Sequence, residues 1–258
     1  MLCVNDVVHI FLSKMANLYT DLSQIYEAMY QTFIDYDEEF DFYKGLLAKY
    51  KCRSVLEIGC GTGNLAHRFA KEGFVYAGLD MSEEMLRIAR KNNPACEFIK
   101  GDMRNFTTTK EIDAVIITGR TISYLVSNED VHRAFHAIGD LLKPAGILCF
   151  DSIDASKFIP SISKEPVTHR ATHNGEKFLR ESFWSQNPNE TWTFDWRSVF
   201  YRTSPDGQTT RIGEDNSTIR SFTKDDMRLF LTLAGFETRE LFDRPSYAFD
   251  TFVVVAEK

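Results

Sequence analysis

Basic charge is scarce in this chain. Thirty Lys plus Arg face thirty-seven Asp plus Glu across 258 residues, a net charge of -7. Gripping a long nucleic-acid backbone takes clustered Lys and Arg, so no nucleic-acid partner is expected. Long apolar runs are lacking too. No stretch reaches the roughly 18 to 20 residues that span a bilayer, so no membrane partner is expected. The opening run MLCVNDVVHIFLSKMANLY has no basic n-region, and Asp6 and His9 interrupt it. A secretory leader is therefore not expected, and translation starting at Met15 is an alternative. Cysteine is sparse and unpatterned. Cys3, Cys52, Cys60, Cys96 and Cys149 are odd in number and form no C-x-x-C pair. They read as free thiols of a cytoplasmic protein, without a disulfide framework. Repeats and low-complexity tracts are also missing.

What is present suits one α/β domain with an insertion. Apolar residues make up 43% and charged residues 26%, enough for an ordinary core. Residues 16–50 read as Tyr- and Phe-rich helices. From Ser54 the pattern alternates. Strands are expected at Val55–Ile58, Phe74–Leu79, Cys96–Ile99, Ile112–Ile117 and Ile147–Phe150. Helices are expected at Asn64–Glu72, after Ser82, and over Asp130–Leu142, the last stopped by Pro144. Alternation of this kind implies a parallel sheet with right-handed crossovers. Lys177–Gln186, Thr191–Thr203 and Gln208–Phe222 break the rhythm as antiparallel strands, with turn signals at Asn187-Pro188-Asn189 and Pro205-Asp206-Gly207. The α/β pattern then returns, with a helix from Lys224 and strands at Glu237–Phe242 and Thr251–Ala256. The expected division is a helical cap over 1–50, a core of 51–151 and 222–258, and a lid over 152–221.

Chemistry concentrates after the first strand. Gly59-Cys60-Gly61-Thr62-Gly63 follows Val55-Leu56-Glu57-Ile58 and precedes a helix. Glycines there permit torsions that a Cβ forbids and let a ligand lie on the main chain. Asp80 ends the next strand about twenty residues on, where a carboxylate can accept from ribose hydroxyls. Ala66 stands where a dinucleotide fold has its third Gly, and Glu57 would repel a pyrophosphate but suits a cationic ligand.

The ordered set Glu57-Ile58-Gly59-Cys60-Gly61-Thr62-Gly63, Leu79-Asp80-Met81-Ser82, Gly101-Asp102-Met103, Ile112-Asp113-Ala114-Val115 and Leu142-Lys143-Pro144-Ala145-Gly146 resembles the class I S-adenosylmethionine-dependent methyltransferase family. The resemblance covers roughly residues 20–150 plus the terminal helix and strands. It implies a Rossmann-like fold: a mostly parallel seven-stranded sheet with helices on both faces and an inserted antiparallel β lid. It implies S-adenosylmethionine as cofactor and S-adenosylhomocysteine as product. By the same resemblance Gly59, Gly61 and Gly63 lie against the methionine part, beside Cys60, and Glu57 orders the loop near its amino group. Asp80 takes the ribose, Met81 the adenine face, and Asp102 and Met103 the adenine edge. Thr118-Gly119-Arg120 lines the transfer site.

The element order, and Gly101–Phe106 with Tyr124-Leu125, is similar to small-molecule N-methyltransferases of the glycine and amino-sugar kinds. Tyr26 and Tyr30, four apart on one helix face, match the tyrosines that close over the cofactor there. The expected acceptor is a small-molecule amine. A hydroxyl or carboxylate acceptor, an aminopropyl transfer, an RNA substrate and a non-catalytic cofactor-binding regulator are the alternatives. Arg120, Tyr124 and His173 are the catalytic candidates; no base is assigned. The Asn-Pro-Pro-Tyr of adenine-N6 enzymes is absent.

Other residues carry weaker readings. Trp192, Phe194 and Trp196 alternate and are expected on one strand face, as an aromatic wall or a packing surface. An apolar lid face makes a homodimer through the lid the candidate assembly. His132 and His136 have chelating spacing, but the motif lacks a Glu and a third ligand, so no metal is expected. His169 and His173 read as loop residues.

Overall fold

The computed structural model describes residues 23–106, 111–173, 175–187, 192–244, 246 and 249–258. Side chains are described from Glu27 onward. Cys3, Met15, Pro188 and Asn189 lie outside the described residues, as do the side chains of Tyr26 and His173. The chain divides into two compact units, Asp35–Ser161 with Arg220–Lys258, and the residues up to Ile34 with Ile162–Ile219.

The first unit is a three-layer α/β core. Its strands are β1 Ser54–Ile58, β2 Val75–Asp80, β3 Glu97–Lys100, β4 Ile112–Ile117, β5 Leu142–Ile153, β10 Glu237–Asp243 and β11 Thr251–Glu257. They form one seven-stranded sheet in the order β10-β11-β5-β4-β1-β2-β3. The strands from β1 to β5 run parallel, and β11 lies antiparallel between β5 and β10. Ala114, Val115, Ile116 and Ile117 are fully buried, which is why β4 is apolar at nearly every position. One face packs on a cluster around Phe135, Phe150 and Phe252, the other on one around Tyr43, Phe69 and Cys149.

Short polar residues start four helices of this unit. Asp35 caps α2 (Tyr36–Lys49), with its carboxylate accepting from the amides of Asp37 and Glu38. Ser82 caps α4 (Glu83–Asn92), and Ser127 caps α5 (Asn128–Leu141). Thr223 and Asp226 form a reciprocal capping box on α7 (Lys224–Leu233). The helix after the glycine turn differs from expectation. The turn that contains Gly63, at φ 77, extends through residue 65, so α3 starts at Ala66 and runs to Lys71. Pro144 does not act as the helix stop. Leu142 is already extended, and Pro144 lies in an irregular start to β5, where Ala145 has φ 61 and the register against β4 shifts. A short helix, α6 (Ala155–Ser161), follows β5.

The second unit holds α1 (Ser23–Tyr30) and a four-stranded antiparallel sheet. Its strands are β6 Val167–His173, β7 Glu176–Gln186, β8 Thr193–Thr203 and β9 Thr209–Arg220, in that order. His169 and His173 therefore lie in β6, a strand the sequence reading left as loop. Trp196 faces its register partner Trp184, and Phe194 faces Gln186 on the same side. Trp192 is not part of that wall: it precedes the strand with φ 70, and the turn there breaks the alternation. Among the described residues no helix is long and apolar enough to cross a membrane.

Candidate functional site

Chain reversal in the core places the site. Strand β1 continues to β2 on one side, while β4 lies on its other side. Ligands of open α/β sheets bind at such a switch point, beyond the carboxyl ends of the strands. The residues found there are Glu57 with the glycine turn, Asp80, Thr118–Arg120 and Asp151.

Glu57 is 3% exposed near the end of β1. Its carboxyl accepts from Tyr76 Oη at 2.6 Å and from Thr118 Oγ1 at 2.9 Å. Burial pushes it up to about 7, and the two hydrogen bonds restrain a further rise. Among the described residues it has no cationic partner, and the approach of a cation would ionise it fully. Neither Tyr76 nor Thr118 donates a charge.

The three glycines have different surroundings. A Cβ on Gly59 would fall 2.5 Å from Thr121 Cγ2, and one on Gly63 2.9 Å from Asn93 Nδ2. Those positions are closed by the protein itself. Gly61 has φ 53 and meets nothing within 4 Å, so its Cα side faces open space. Its amide donates to Asp80 Oδ2 at 2.9 Å, which joins the turn to the end of β2. Asp80 Oδ1 accepts from the Ser82 amide at 2.8 Å. A carboxylate has about four lone-pair sites, so Asp80 retains capacity for hydroxyl donors. Burial raises its pKa, and backbone amides of Ser82, Gly61 and Met81 oppose that rise. Met81 beside it is 56% exposed, an apolar side chain offered to solvent. Cys60 is buried with its thiol pushed upward, so it is inert packing.

Asp102 and Met103 lie past β3. Arg104 clasps Asp102 through Nε at 2.9 Å and Nη2 at 2.5 Å, and reaches Asp130 through Nη1 at 3.2 Å. Burial works against ionisation of Asp102, but Arg104 holds its carboxyl below the usual range. Met103 is 8% exposed and packs into the core.

Arg120 is not a surface residue. It is buried at φ 62; its amide donates to Asp151 Oδ1 at 2.9 Å and its Nη1 to Ser246 Oγ at 3.0 Å. Its guanidinium lies 5.1 Å from the Phe249 ring centre. The backbone strain at Arg120 is thus fixed by a buried carboxylate. Tyr124 ends the short 3-10 turn Thr121–Tyr124 that follows.

The sequence reading missed a second buried polar group here. Asp151 lies near the carboxyl end of β5, and burial raises its pKa while Arg120 lowers it. Tyr43 of α2 is 1% exposed, and its hydroxyl has no hydrogen-bond partner among the described residues. Burial raises its pKa, with Asp151 adding to the rise. Arg244 donates to both oxygens of Glu39, at 3.1 and 2.7 Å. Asp151 could have been found by the same rule as Asp80, a carboxylate at the carboxyl end of a buried parallel strand. Tyr43 gave no such signal.

Tyr30 belongs to the other unit, where its hydroxyl accepts from Arg180 Nη1 at 3.3 Å. His132 and His136 form an exposed pair with Nε2 atoms 3.0 Å apart, and no group of three metal ligands occurs among the described residues.

The chain is similar to known methyltransferases. The family model of a methyltransferase domain matches residues 55–146. A protein of Geobacillus sp. (strain WCH70), whose name says methyltransferase and gives no substrate, is 30% identical over 80% of this chain and 84% of its own. The dTDP-3-amino-3,4,6-trideoxy-alpha-D-glucopyranose N,N-dimethyltransferase of Streptomyces venezuelae is 36% identical over 37% of this chain and 40% of its own. The solved structure of an S-adenosylmethionine-bound amino pentose methyltransferase from Micromonospora echinaspora superposes with a TM-score of 0.77 at 20% identity, covering 90% of this chain and 96% of that one.

Proposed function

The chain belongs to the methyltransferase family, and from that premise we propose that it transfers the methyl group of S-adenosylmethionine to the nitrogen of a small-molecule amine. The observation that carries the cofactor half is Glu57. A buried carboxyl raised to about 7, beside an open glycine turn and one strand from Asp80, fits a ligand with an ammonium group and a ribose. Glu57 would hold the amino group, Gly61 would leave room for the main chain of the loop to meet the ligand, and Asp80 would accept from the ribose hydroxyls. Met81 and the Asp102–Met103 turn would flank the adenine, with Arg104 fixing the turn.

When bound, S-adenosylmethionine supplies an electrophilic methyl group and a neutral thioether leaving group. The protein then needs to position and desolvate a neutral amine, and no base is compulsory. Thr118–Arg120, pinned by Glu57 and Asp151, would shape the methyl-transfer side. Arg120, Tyr124 and His173 remain the candidates for acceptor contacts. The names of amino-sugar N,N-dimethyltransferases among the relatives support an amine acceptor. The acidic charge and free thiols support a cytoplasmic enzyme without nucleic-acid or membrane partners. Residues 152–221 would serve as the lid, and Val167, 41% exposed on β6 at the edge of its sheet, supports pairing of two lids.

The test is thermal melting with S-adenosylmethionine, S-adenosylhomocysteine, the decarboxylated cofactor and NAD, then a screen of amine acceptors. A ligand at a hundred times its Kd adds about 2.7 kcal/mol. A rise with the first two alone, and methylated amine in the screen, is the expected result. No rise with either removes the proposal.

A further inference from the structure

The turn after β4 is strained and is held from outside itself. Gly119 and Arg120, two residues in a row, have φ 63 and 62. A left-handed arginine persists where its surroundings fix it. Three contacts do so, all within the core unit. The Arg120 amide donates to Asp151 Oδ1 of β5 at 2.9 Å. Thr118 Oγ1 donates to Glu57 Oε1 of β1 at 2.9 Å. A Cβ on Gly59 would fall 2.5 Å from Thr121 Cγ2, so the Thr121 side chain lies against the Gly59 Cα. Thr121 is itself tied to Thr118, whose carbonyl accepts from the Thr121 hydroxyl at 2.8 Å and amide at 3.2 Å. The parallel pairing of Ile58 with Ile117 sets Thr118 beside the start of the glycine turn.

The strength of the Thr118 contact depends on the charge of its acceptor. A hydrogen bond to an ionised carboxylate is roughly twice as strong as one to a neutral group. The groups facing Glu57 are Tyr76 Oη and the Asp80 carboxylate of β2, the Cys60 thiol of the glycine turn, and Thr118 itself. Asp80 opposes ionisation, while Tyr76 and Thr118 favour it. With burial these bring the Glu57 carboxyl to about 7, so it is mostly neutral below that pH and mostly charged above it. The firmness with which Thr118 is held therefore changes across neutrality, and an ammonium group beside Glu57 moves it the same way as a rise in pH.

We propose that Thr118 is a positioning residue: its hydroxyl ties the Thr118–Thr121 turn to Glu57, so that the cofactor's ammonium, on pairing with Glu57, also fixes the turn that lines the acceptor side. The acceptor then meets a fully set turn when the cofactor is already in place. The cofactor and acceptor in this statement rest on the methyl-transfer reading. The link between the charge of Glu57 and the turn belongs to the free chain and stands without it.

The test is amide hydrogen exchange of the full chain at pH 6 and pH 8, free and with saturating S-adenosylhomocysteine, for the wild type, Thr118→Val and Thr118→Ser. The readout is the protection of the Arg120 and Thr121 amides, corrected for the intrinsic effect of pH and compared with β4 amides. In the free wild type, protection should rise about fivefold from pH 6 to pH 8 as Glu57 ionises. S-Adenosylhomocysteine should give a similar rise at pH 6 and little more at pH 8. Thr118→Ser, which keeps the hydroxyl, should behave like the wild type, and Thr118→Val should lose both rises. Wild-type protection that responds to neither pH nor ligand overturns the proposal. So do undiminished rises in Thr118→Val, which would mean that the ligand merely covers the turn. If Thr118→Val fails to fold, Glu57→Gln takes its place, and a pH step that survives there overturns the proposal. Failure of S-adenosylhomocysteine to bind the wild type would count against the methyl-transfer reading, and the pH step of the free chain would still decide the role of Thr118.

Discussion

The core and the inserted unit bury charge in opposite ways. In the core, buried or half-buried carboxylates are held by amides and hydroxyls of the loops they organise: Asp80 by Gly61 and Ser82, Asp151 by Arg120, Glu57 by Tyr76 and Thr118. In the insert a buried cation, Arg180, lies among rings and neutral acceptors and in the field of the buried carboxylate Asp215 of β9. The contrast suits a core that receives a cationic cofactor and an insert whose buried charges stabilise each other. It teaches that a buried carboxyl held only by neutral donors, as Glu57 is, stands apart from buried charges that meet an opposite charge.

The largest effect should come from Asp80→Ala. Ribose hydroxyls would lose a charged acceptor, about 1.5 to 3 kcal/mol, or roughly 10- to 150-fold in S-adenosylhomocysteine affinity. Calorimetry giving wild-type affinity would remove Asp80 from the site.

Next, the glycines should separate. Gly63→Ala drives a Cβ to 2.9 Å from Asn93 Nδ2 at φ 77, so it should lower Tm, with a cost of about 1 to 3 kcal/mol. Gly61→Ala enters open space at φ 53 and should cost only about 1 kcal/mol of folding but more of cofactor affinity. Equal loss of affinity with no loss of Tm in both would erase the distinction between closed and open sides of the turn.

His169 gives a pH test of the insert. Its folded pKa of about 4 lies below the unfolded value near 6.5. The unfolded chain therefore binds more protons between those values, and stability falls as pH drops through that window. His169→Gln should flatten that segment of the Tm-versus-pH curve; an unchanged slope would assign it elsewhere. The smallest effect is Thr223→Ala, which removes one side of the α7 capping box and should cost about 1 kcal/mol by denaturant melts.

Legibility in the sequence also differed between the two units. The core was readable because its signals are local: apolar runs with fixed glycine and carboxylate positions at strand ends. Gly59 through Asp102 could be placed before any coordinate. Asp151 obeyed the same rule but stood outside the motifs. The insert was less readable. Strand β6, Val167–His173, reads Val-Thr-His-Arg-Ala-Thr-His, with polar residues on both faces, so it lacked an apolar signature. Arg180 drew no reading, since nothing local shows that Tyr30, 150 positions away, lies against it. Trp192 failed because a turn residue at φ 70 cannot keep strand alternation.

The most direct measurement concerns Glu57, on which the cofactor assignment rests. In the free protein its carboxyl sits near 7, raised above the unfolded value, so the proton it carries stabilises the fold below about 4.5 and that gain is lost as pH rises through 7. A cationic ammonium favours the carboxylate, so binding should expel that proton. Calorimetric titration of S-adenosylhomocysteine at pH 6, in buffers of different ionisation enthalpy, should show proton release that fades above pH 8 and vanishes in Glu57→Gln. Binding without proton release in the wild type, or the same release in Glu57→Gln, would contradict the account.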